Sequence, residues 1–298
     1  MKALVTGGTG FIGSNIVRAL LARGDDVSIT GHDAEQRLPD FKGKLLQPSL
    51  VGIDWEALPP VDVVFHQAAI NDTTSADLRE MLHANVTASL ALFEHVVQQG
   101  CKRIVYASST AVYGDGPAPY KEEQSLHPLN PYAQSKKQLE EETARFAKEH
   151  PDVIIVGLRY CNVYGPGESH KGARASMIYQ LAQQMRQGSP RLFKSGEQRR
   201  DYIYIKDVVE ANLQAAKAAS SGIFNCGSGT AISFNDVVQL LNKVLGTART
   251  PEYIDNPYAA SYQSYTQCDM GRAKERLGFT PRYTVESGIQ DWVQSGGL

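Results

Sequence analysis

The sequence has few cysteines and no long hydrophobic run, and both shortages narrow the class of protein. No two cysteines have the CxxC spacing of a metal or redox motif, so we expect reduced, structural thiols and no bound metal ion. The four lie about 40 to 65 residues apart, at Cys101, Cys161, Cys226 and Cys268. No apolar run approaches the roughly 18 residues that cross a bilayer, and glycines interrupt the N-terminus, MKALVTGGTGFIG, before a signal-peptide core forms. We therefore expect a cytoplasmic protein that has no membrane partner.

The chain also lacks an excess of charge of either sign. Its 30 Lys and Arg residues face 32 Asp and Glu residues, and no basic stripe stands out that would neutralise a phosphate backbone. We therefore expect no nucleic-acid partner. The 42% hydrophobic and 21% charged residues are close to the globular average, which excludes a disordered or collagen-like chain. A length of 298 residues without internal repeats predicts roughly two folding units, or one large domain with a smaller lobe.

Short β-branched runs alternate with amphipathic stretches over the first half of the chain. They predict strands at residues 3–6, 27–30, 44–46, 61–66, 103–108 and 153–158, and helices at 14–22, 81–99 and 131–149. Parallel strands need crossover connections, so this alternation predicts an α/β fold with a doubly wound parallel sheet covered by helices on both faces. After about residue 165 the alternation loosens into a helix near 175–187 and a turn-rich stretch at 188–196, which is typical of a smaller substrate lobe.

A glycine-rich loop, TGGTGFIG at residues 6–13, follows the first predicted strand and leads directly into a helix. Gly7, Gly10 and Gly13 give a GxxGxxG spacing, which allows a tight turn, a close approach of backbone N–H groups to a pyrophosphate, and packing of the helix against the strand. In this strand, loop and helix context the pattern predicts dinucleotide binding. The chain then divides into a dinucleotide-binding domain at 1–165, to which segments at about 195–225 return, and a mainly substrate-binding lobe at 166–298.

The end of the second predicted strand bears on the choice between NAD and NADP. An acidic residue that holds the adenosine ribose is expected there, but Gly31 offers no carboxylate, and Asp33 lies two residues further on. We assign the neighbouring His32 to the cofactor site, and Arg37 is suited to a 2′-phosphate. If Asp33 and Arg37 are instead solvated loop charges, neither cofactor is favoured. The sequence therefore predicts NAD or NADP without deciding between them.

Three side chains form a candidate catalytic set. Tyr132 and Lys136, in YAQSK, share one face of a predicted helix, so the ammonium can favour the phenolate of a tyrosine whose pKa is otherwise near 10. This spacing is common by chance, and a core tyrosine with a surface lysine is the plainer interpretation. Ser109 changes that balance because it ends a predicted strand, at the edge of an open α/β sheet where ligands bind.

At this point the chain resembles the extended short-chain dehydrogenase/reductase family, the NAD-dependent epimerases and dehydratases that act on nucleotide sugars. The glycine loop, the strand-end Ser109, YAQSK and RYCNVYGP at 159–166 occur in the family's order and spacing. The resemblance implies a Rossmann-like sheet and a nicotinamide cofactor that takes a hydride. It also implies that Tyr132 takes a hydroxyl proton, Lys136 holds the nicotinamide ribose, and Ser109 hydrogen-bonds the reacting oxygen.

The same resemblance implies further contacts. Asn162 lies on the substrate side, and Cys161 replaces the phenylalanine usual in this motif, which implies a packing change or a free thiol near the nicotinamide. The cofactor contacts that it implies besides the glycines and Lys136 are Phe11, Ile12, Ser49, Leu50, Gln67, Ala68, Asn85 and Val163.

The residues after Ser109 narrow the reaction. Dehydratases of the family carry an Asp-Glu pair there, and glucuronate decarboxylases a Glu in the second position, whereas this chain has Thr110 and Ala111. Epimerisation needs neither carboxylate, because a hydride leaves the carbinol carbon and returns to its other face, so the cofactor is regenerated in each turnover. A nucleotide-sugar reductase is an alternative. A non-catalytic dinucleotide sensor is another, although such sensors usually lose the tyrosine or the lysine.

The second half of the chain resembles the ADP-glyceromanno-heptose 6-epimerases within this family, through HKG at 170–172, PRLFKSGEQRRDY at 190–202 and YQSYTQ at 262–267. This resemblance implies that Lys171 is a second catalytic group, that Arg200 binds a diphosphate, and that Phe193 and Tyr262 line a nucleotide pocket. There is a plainer alternative for each residue. Lys171 is then a loop lysine that contacts phosphate or solvent, and Arg200 forms a surface ion pair. Phe193 and Tyr262 are then aromatic residues of the core.

Three departures from the heptose pattern concern substrate recognition. Ala173 stands where those enzymes carry a serine, Gln180 where they carry a histidine, and the spacing from Phe193 to Arg200 is one residue shorter. We keep Gln180 as a substrate-binding candidate. UDP-hexose 4-epimerases usually have an arginine in the segment at 262–267, which this chain lacks. We therefore expect a nucleotide-diphosphate sugar substrate and an ADP-heptose 6-epimerase-like activity, with UDP-hexose or UDP-hexuronate 4-epimerase as the alternative.

The predicted helices at 81–99 and 131–149 carry long apolar stripes. In the family the equivalent helices pair across a two-fold axis, which implies a homo-oligomer. The alternative is that both stripes simply face the sheet.

Overall fold

The computed structural model describes residues 1–32, 34–48, 50–72, 76–257 and 263–298. The strands of these residues are β1 (Lys2–Thr6), β2 (Asp26–Thr30), β3 (Lys44–Leu46), β4 (Val63–His66), β5 (Arg103–Ser109), β6 (Ile154–Tyr160), β7 (Asn162–Tyr164), β8 (Arg191–Phe193), β9 (Arg199–Tyr204), β10 (Gly222–Cys226), β11 (Ala231–Ser233) and β12 (Glu252–Ile254). The helices are α1 (Phe11–Ala22), α2 (Ala34–Arg37), α3 (Leu78–Leu82), α4 (Ala88–Gln98), α5 (Pro131–Glu149), α6 (Met177–Gln187), α7 (Ile205–Ala215), α8 (Phe234–Leu245), α9 (Gly271–Leu277) and α10 (Val285–Gln294).

A seven-stranded parallel sheet in the order β10-β6-β5-β4-β1-β2-β3 forms the centre of the fold. Its strands have apolar side chains on both faces because helices cover both faces. Val5 of β1 packs into one core with α1 and α7, whereas the preceding Leu4 packs into the other core with α4 and α5. The predicted doubly wound α/β fold is therefore confirmed.

The helix that carries the candidate tyrosine and lysine has well-defined ends. Asn130 caps α5, because its side-chain oxygen accepts a hydrogen bond from the backbone N–H of Ala133 at 2.8 Å, and Pro131 occupies the first turn. Tyr132 therefore lies in the first turn of α5 and Lys136 in the second. The predicted bounds, 131–149, agree with the structure.

Two predicted elements differ from the structure. A π-helical turn, His83–Thr87, interrupts the predicted helix 81–99 between α3 and α4. In that turn the Asn85 side chain accepts from the backbone N–H of Ile70 at 2.8 Å and donates to the Ser135 hydroxyl at 3.0 Å. The stretch at 188–196 contains β8, which pairs with the distant β12. Such a short strand is stabilised by a partner that local sequence does not reveal.

The second half of the chain contributes both to the central sheet and to smaller sheets. Strand β10 is the edge strand of the central sheet, next to β6. The described residues also form the three-stranded sheet β11-β9-β7, the β8–β12 pair, and helices α6 and α8. Residues of both halves share one hydrophobic core, and the division into a dinucleotide-binding domain and a smaller lobe stays a prediction. No helix in the described ranges is long and apolar enough to cross a membrane.

His66, the last residue of β4, is expected to make the free energy of unfolding depend on pH. It is 1% exposed, with Nδ1 2.8 Å from the Thr6 hydroxyl and Nε2 2.8 Å from the Ser89 hydroxyl. Burial, together with the charge of Lys136, lowers its pKa to about 3. The unfolded histidine titrates near 6.5, so as the pH falls below 6.5 the unfolded state takes up a proton that the folded state does not, and stability is lost.

We expect the free energy of unfolding to fall by about 2 kcal/mol from this group alone between pH 7 and pH 5. Urea unfolding at the two pH values measures the loss, and His66→Gln is expected to reduce it by that amount. An equal loss in the variant and the wild type would contradict the role given to His66.

Candidate active site

The glycine loop forms a cavity of about 400 Å³ at the N-terminus of α1. Gly7 has a φ of +62°, and a Cβ added at Gly13 would lie 2.2 Å from the carbonyl oxygen of Gly7. This close packing leaves backbone N–H groups and the positive end of the helix dipole facing the cavity, which suits a pyrophosphate. The predicted cofactor residues that line it are Gly7, Gly10, Phe11, Ile12, Gly13, His32, Gln67 and Ala68.

Replacing Gly13 with alanine is expected to open this packing. The added methyl group would collide with backbone rather than with a flexible side chain, so we expect the Kd for NADH to rise at least about tenfold, or about 1.4 kcal/mol. Titration of NADH fluorescence measures it. Gly188→Ala is the matched control, because Gly188 has extended backbone and open space around it. Unchanged NADH affinity in Gly13→Ala would show that the loop does not hold the cofactor.

The end of β2, where the sequence predicts the residues that contact adenosine, lacks an acidic side chain at Gly31. A Cβ at Gly31 would lie 2.4 Å from the Thr9 hydroxyl, so the end of β2 has no room for an acidic side chain. Arg37 packs back onto the glycine loop and donates to the backbone oxygen of Thr9 at 3.1 Å. Leu50 is buried in the core beside α4 and α5. Ser49 and Asp33 lie outside the described residues.

Ser109, Tyr132 and Lys136 converge on a second cavity, of about 210 Å³, as the sequence predicted. The ammonium of Lys136 donates to the backbone oxygen of Ala107 at 2.8 Å and lies 5.9 Å from the centre of the Tyr132 ring. Ser109 ends β5 and caps the turn that follows it. Phe11, Ile12 and Gln67 line both this cavity and the glycine-loop cavity, so the two adjoin, and Cys161 and Val163 also line this one.

Burial shifts the pKa values of Tyr132 and Lys136 in opposite directions. Burial raises the pKa of Tyr132, and a hydrogen bond with Ser109 opposes that effect. Burial lowers the pKa of Lys136 to about 8, and the nearby Glu140 raises it. The net effect is that the pKa of Tyr132 is raised, and Lys136, with its pKa of about 8, is still mostly protonated at neutral pH.

A buried ion pair between Glu140 and Arg159 lies beside the Ser109, Tyr132 and Lys136 set, and the sequence analysis did not predict it. Glu140 lies one turn after Lys136 on α5, and Arg159 of β6 makes a two-pronged contact with its carboxylate at 2.7 and 2.9 Å. The Ser108 hydroxyl donates to the same carboxylate. The available signal was the i,i+4 spacing of Lys136 and Glu140, together with an arginine at the start of RYCNVYGP.

A third cavity, of about 700 Å³, opens beyond Ser109 and Tyr132 toward α6 and β9. Arg200 is 9% exposed and lines it, with its guanidinium 5.6 Å from the centre of the Phe234 ring. Asn162 also lines it, and its amide nitrogen donates to the backbone oxygen of Asp201. Arg174, which the sequence analysis did not single out, adds a third positive side chain to those of Lys171 and Arg200. This charge suits a diphosphate.

Lys171 lines all three cavities. Its ammonium lies 5.1 Å from the centre of the Phe11 ring, in the glycine loop. It therefore lies at the junction between the predicted cofactor and substrate regions. Tyr132 lines two of the same three cavities.

Other predicted substrate residues lie elsewhere. The Gln180 amide nitrogen donates to the backbone oxygens of Ala173 at 3.1 Å and Ala175 at 2.7 Å, so this side chain is bound to the loop before α6. Phe193 is half-buried in β8, and Tyr262 lies outside the described residues. Asn85, which was predicted to contact the cofactor, hydrogen-bonds Ile70 and Ser135 and lines none of the three cavities.

This combination of a doubly wound sheet, a glycine loop and a Ser-Tyr-Lys cavity defines a nicotinamide-dependent enzyme class, and comparison with known families agrees. The model of the NAD dependent epimerase/dehydratase family matches residues 3–227. The chain belongs to this family. The predicted family and nicotinamide cofactor are therefore confirmed, and the family description names NAD.

Three relatives of this chain are epimerases that act on nucleotide sugars. The chain is 36% identical to the ADP-L-glycero-D-manno-heptose-6-epimerase of Alkalilimnicola ehrlichii, over 98% of this chain and 96% of that one. The crystal structure of the Helicobacter pylori ADP-L-glycero-D-manno-heptose-6-epimerase superposes with a TM-score of 0.86 at 35% identity, covering 99% of this chain and 95% of that one. The Thermotoga maritima UDP-glucose 4-epimerase, crystallised with UDP-glucose, gives 0.89 at 30% identity, covering 99% and 98%.

Proposed function

We propose that this protein is a nucleotide-sugar epimerase that inverts C6 of an ADP-activated manno-heptose by transient oxidation and re-reduction. One observation carries the proposal: Tyr132 and Lys171, two side chains able to transfer protons, border the same cavities as Ser109. They come from different parts of the chain, the start of α5 and the loop before α6. The similarity to two ADP-heptose 6-epimerases supports the substrate assignment.

The first half of the reaction uses the Ser-Tyr-Lys set. When bound, NAD supplies the acceptor for a hydride and later its donor. Tyr132 removes the proton from the substrate hydroxyl as the carbon is oxidised, and Lys136 favours the ionised phenol. Ser109 donates a hydrogen bond to the oxygen on which negative charge develops.

Inversion requires the planar ketone to present its opposite face before it is reduced. Its oxygen then occupies a second position, which calls for a second proton-transfer group. Lys171 is suited to this role because it lies between the cofactor and substrate cavities and because burial lowers its pKa. Tyr132 and Lys171 would then serve the two orientations of the reacting oxygen.

The diphosphate of the substrate would be held in the third cavity. Arg200 presents a planar fork that can bind two oxygens at once, and Arg174 adds charge beside it. Ala173 and Gln180 depart from the heptose pattern, and Gln180 is bound to the loop carbonyls. We therefore expect recognition of the sugar to differ in detail from that of the relatives.

A UDP-hexose 4-epimerase is the second candidate, favoured by the TM-score of 0.89 to the Thermotoga maritima enzyme. Proton NMR separates the two. The purified protein, with no added cofactor, is incubated with ADP-D-glycero-D-manno-heptose, with UDP-glucose or with UDP-glucuronate. Appearance of the C6 epimer of the heptose supports the proposal. Conversion of a UDP-sugar alone replaces it with the second candidate, and no conversion of any of the three overturns both.

Two further properties stay predictions from the sequence. A homo-oligomer would use the outer faces of α4 and α5, although Leu92, Phe93 and Leu139 on their apolar stripes are buried within this chain. Light scattering during gel filtration tests it. The cytoplasmic location rests on the sequence pattern alone.

A further inference from the structure

A loop of residues 165–176, between β7 and α6, carries Lys171. Within it Lys171 lies in a short helical turn, Ser169–Arg174, whose start is fixed by a hydrogen bond from the Lys171 backbone N–H to the Glu168 backbone oxygen at 2.9 Å. The ammonium reaches Phe11 of the glycine loop. The position of Lys171 therefore depends on how this loop, called the 165–176 loop below, is held.

Both ends of the 165–176 loop converge on one buried carboxylate. Glu168 is fully buried, with 0% of its surface exposed. Its Oε1 accepts from the backbone N–H of Gly165 at 3.0 Å and from the Ser176 hydroxyl at 2.8 Å, and its Oε2 accepts from the Ser176 backbone N–H at 2.5 Å. An ionised carboxylate can accept all three bonds, whereas an amide in its place would turn a donor toward one of these donors.

Neutral side chains also hold the loop. Gln180 donates to the backbone oxygens of Ala173 and Ala175, and Asn15 of α1 donates to the backbone oxygen of Pro166 at 3.1 Å. Glu168 differs from them because it can carry a negative charge close to Lys171.

The negative charge that Glu168 can carry matters because most charged groups around Lys171 are positive. Burial lowers the pKa of Lys171, Glu168 raises it, and Arg174 lowers it further. Burial raises the pKa of Glu168, whereas its hydrogen bonds and the charge of Lys171 lower it. The other ionisable groups that line the cavities shared with Lys171 are His32, Arg37, Asp72, Tyr132, Lys136, Tyr160, Cys161, His170, Arg200 and Tyr202. Among the described residues lining these cavities the positive charges outnumber the negative ones, so the negative charge of Glu168 weighs heavily.

We propose that Glu168 is a positioning residue for Lys171: its carboxylate ties the two ends of the 165–176 loop together and supplies a negative charge to the loop that holds the ammonium at the junction of the three cavities. Glu168 does not touch substrate or cofactor, and it acts through Lys171. The proposal rests on the proposed function, because it gives Glu168 a catalytic consequence only if Lys171 transfers a proton.

The test compares Glu168→Gln with Gln180→Leu, a control that loosens the same loop without removing a charge. Each protein is expressed with lysine labelled with 13C at Cε, and NMR titration gives the pKa of Lys171, whose signal is identified by its absence from Lys171→Met. We expect the pKa of Lys171 to fall in Glu168→Gln and to stay near the wild-type value in Gln180→Leu. We expect kcat for the heptose substrate to fall at least about tenfold in Glu168→Gln.

Glu168→Asp guards against a variant that fails to fold. It keeps the charge but is too short to reach both ends of the loop, so we expect kcat to fall while the pKa of Lys171 stays near the wild-type value. An unchanged Lys171 pKa in folded Glu168→Gln, or an unchanged kcat in either Glu168 variant, would overturn the proposal.

Failure of the proposed function gives a different result. If Lys171→Met keeps the full rate of epimerisation, Lys171 is not the second proton-transfer group. The titration of Lys171 in Glu168→Gln still reports directly whether the carboxylate controls its charge.

Discussion

Replacing Tyr132 with phenylalanine is expected to lower kcat for epimerisation by about 10²- to 10⁴-fold and to leave the affinity for NADH unchanged. In the proposed mechanism the phenol oxygen moves the proton, whereas the ring only fills the cavity beside Ser109 and Lys136. The NMR assay measures turnover, and quenching of protein fluorescence by NADH measures binding.

Tyr179→Phe is the matched control for this loss. Tyr179 stacks on Trp292, with ring centres 5.9 Å apart, and lines none of the three cavities described above. Its variant is expected to retain wild-type kcat. A Tyr132→Phe enzyme that turned over at the wild-type rate would show that another group takes the proton.

Replacing Glu140 with leucine is expected to lower the free energy of unfolding by about 3 to 5 kcal/mol. The substitution leaves the guanidinium of Arg159, which is 3% exposed, without its two-pronged partner in the interior. It also removes the charge that raises the pKa of Lys136. Urea unfolding measures the first effect.

The double variant Glu140→Leu with Arg159→Leu separates a lost ion pair from general damage to the core. Removing both charges avoids an uncompensated buried ion, so the double variant is expected to be more stable than Glu140→Leu alone. Arg145→Ala, which breaks an exposed pair with Glu142, is expected to leave the unfolding free energy nearly unchanged. A double variant less stable than the single one would mean that Arg159 stabilises the fold mainly through its contacts with Tyr113 and Glu122.

The sequence predicted those elements whose causes are local. The six strands of the first half of the sheet agree with the structure within two residues, and α5 agrees at both ends because Asn130 and Pro131 mark its start. The π-helical turn and strand β8 were missed. Asn85 supports the turn through Ile70 and Ser135, and β8 pairs with β12, so both depend on partners distant in sequence.

Some residues of the candidate site could likewise be predicted from the sequence, and others could not. Ser109, Tyr132 and Lys136 were found because a motif names them, and the structure brings them to one cavity. Glu140 and Glu168 were missed because acidic residues are usually on the surface, so neither the i,i+4 spacing of Glu140 from Lys136 nor anything near Glu168 in the sequence shows that these carboxylates are buried. Only the fold shows that Arg159 contacts Glu140 and that the two ends of the 165–176 loop meet at Glu168.

The order of strands in the central sheet has a consequence for synthesis of the chain. Strand β6 lies between β5 and β10, yet β10 begins only at Gly222, after the entire 165–176 loop and strands β8 and β9. During translation the edge of β6 that faces β10 therefore lacks its partner until the residues through Cys226 have been synthesised, a delay of several seconds at about 5 to 20 residues per second. Such an edge can pair with another nascent chain, so a ribosome that stalls before Gly222 releases a fragment prone to aggregate.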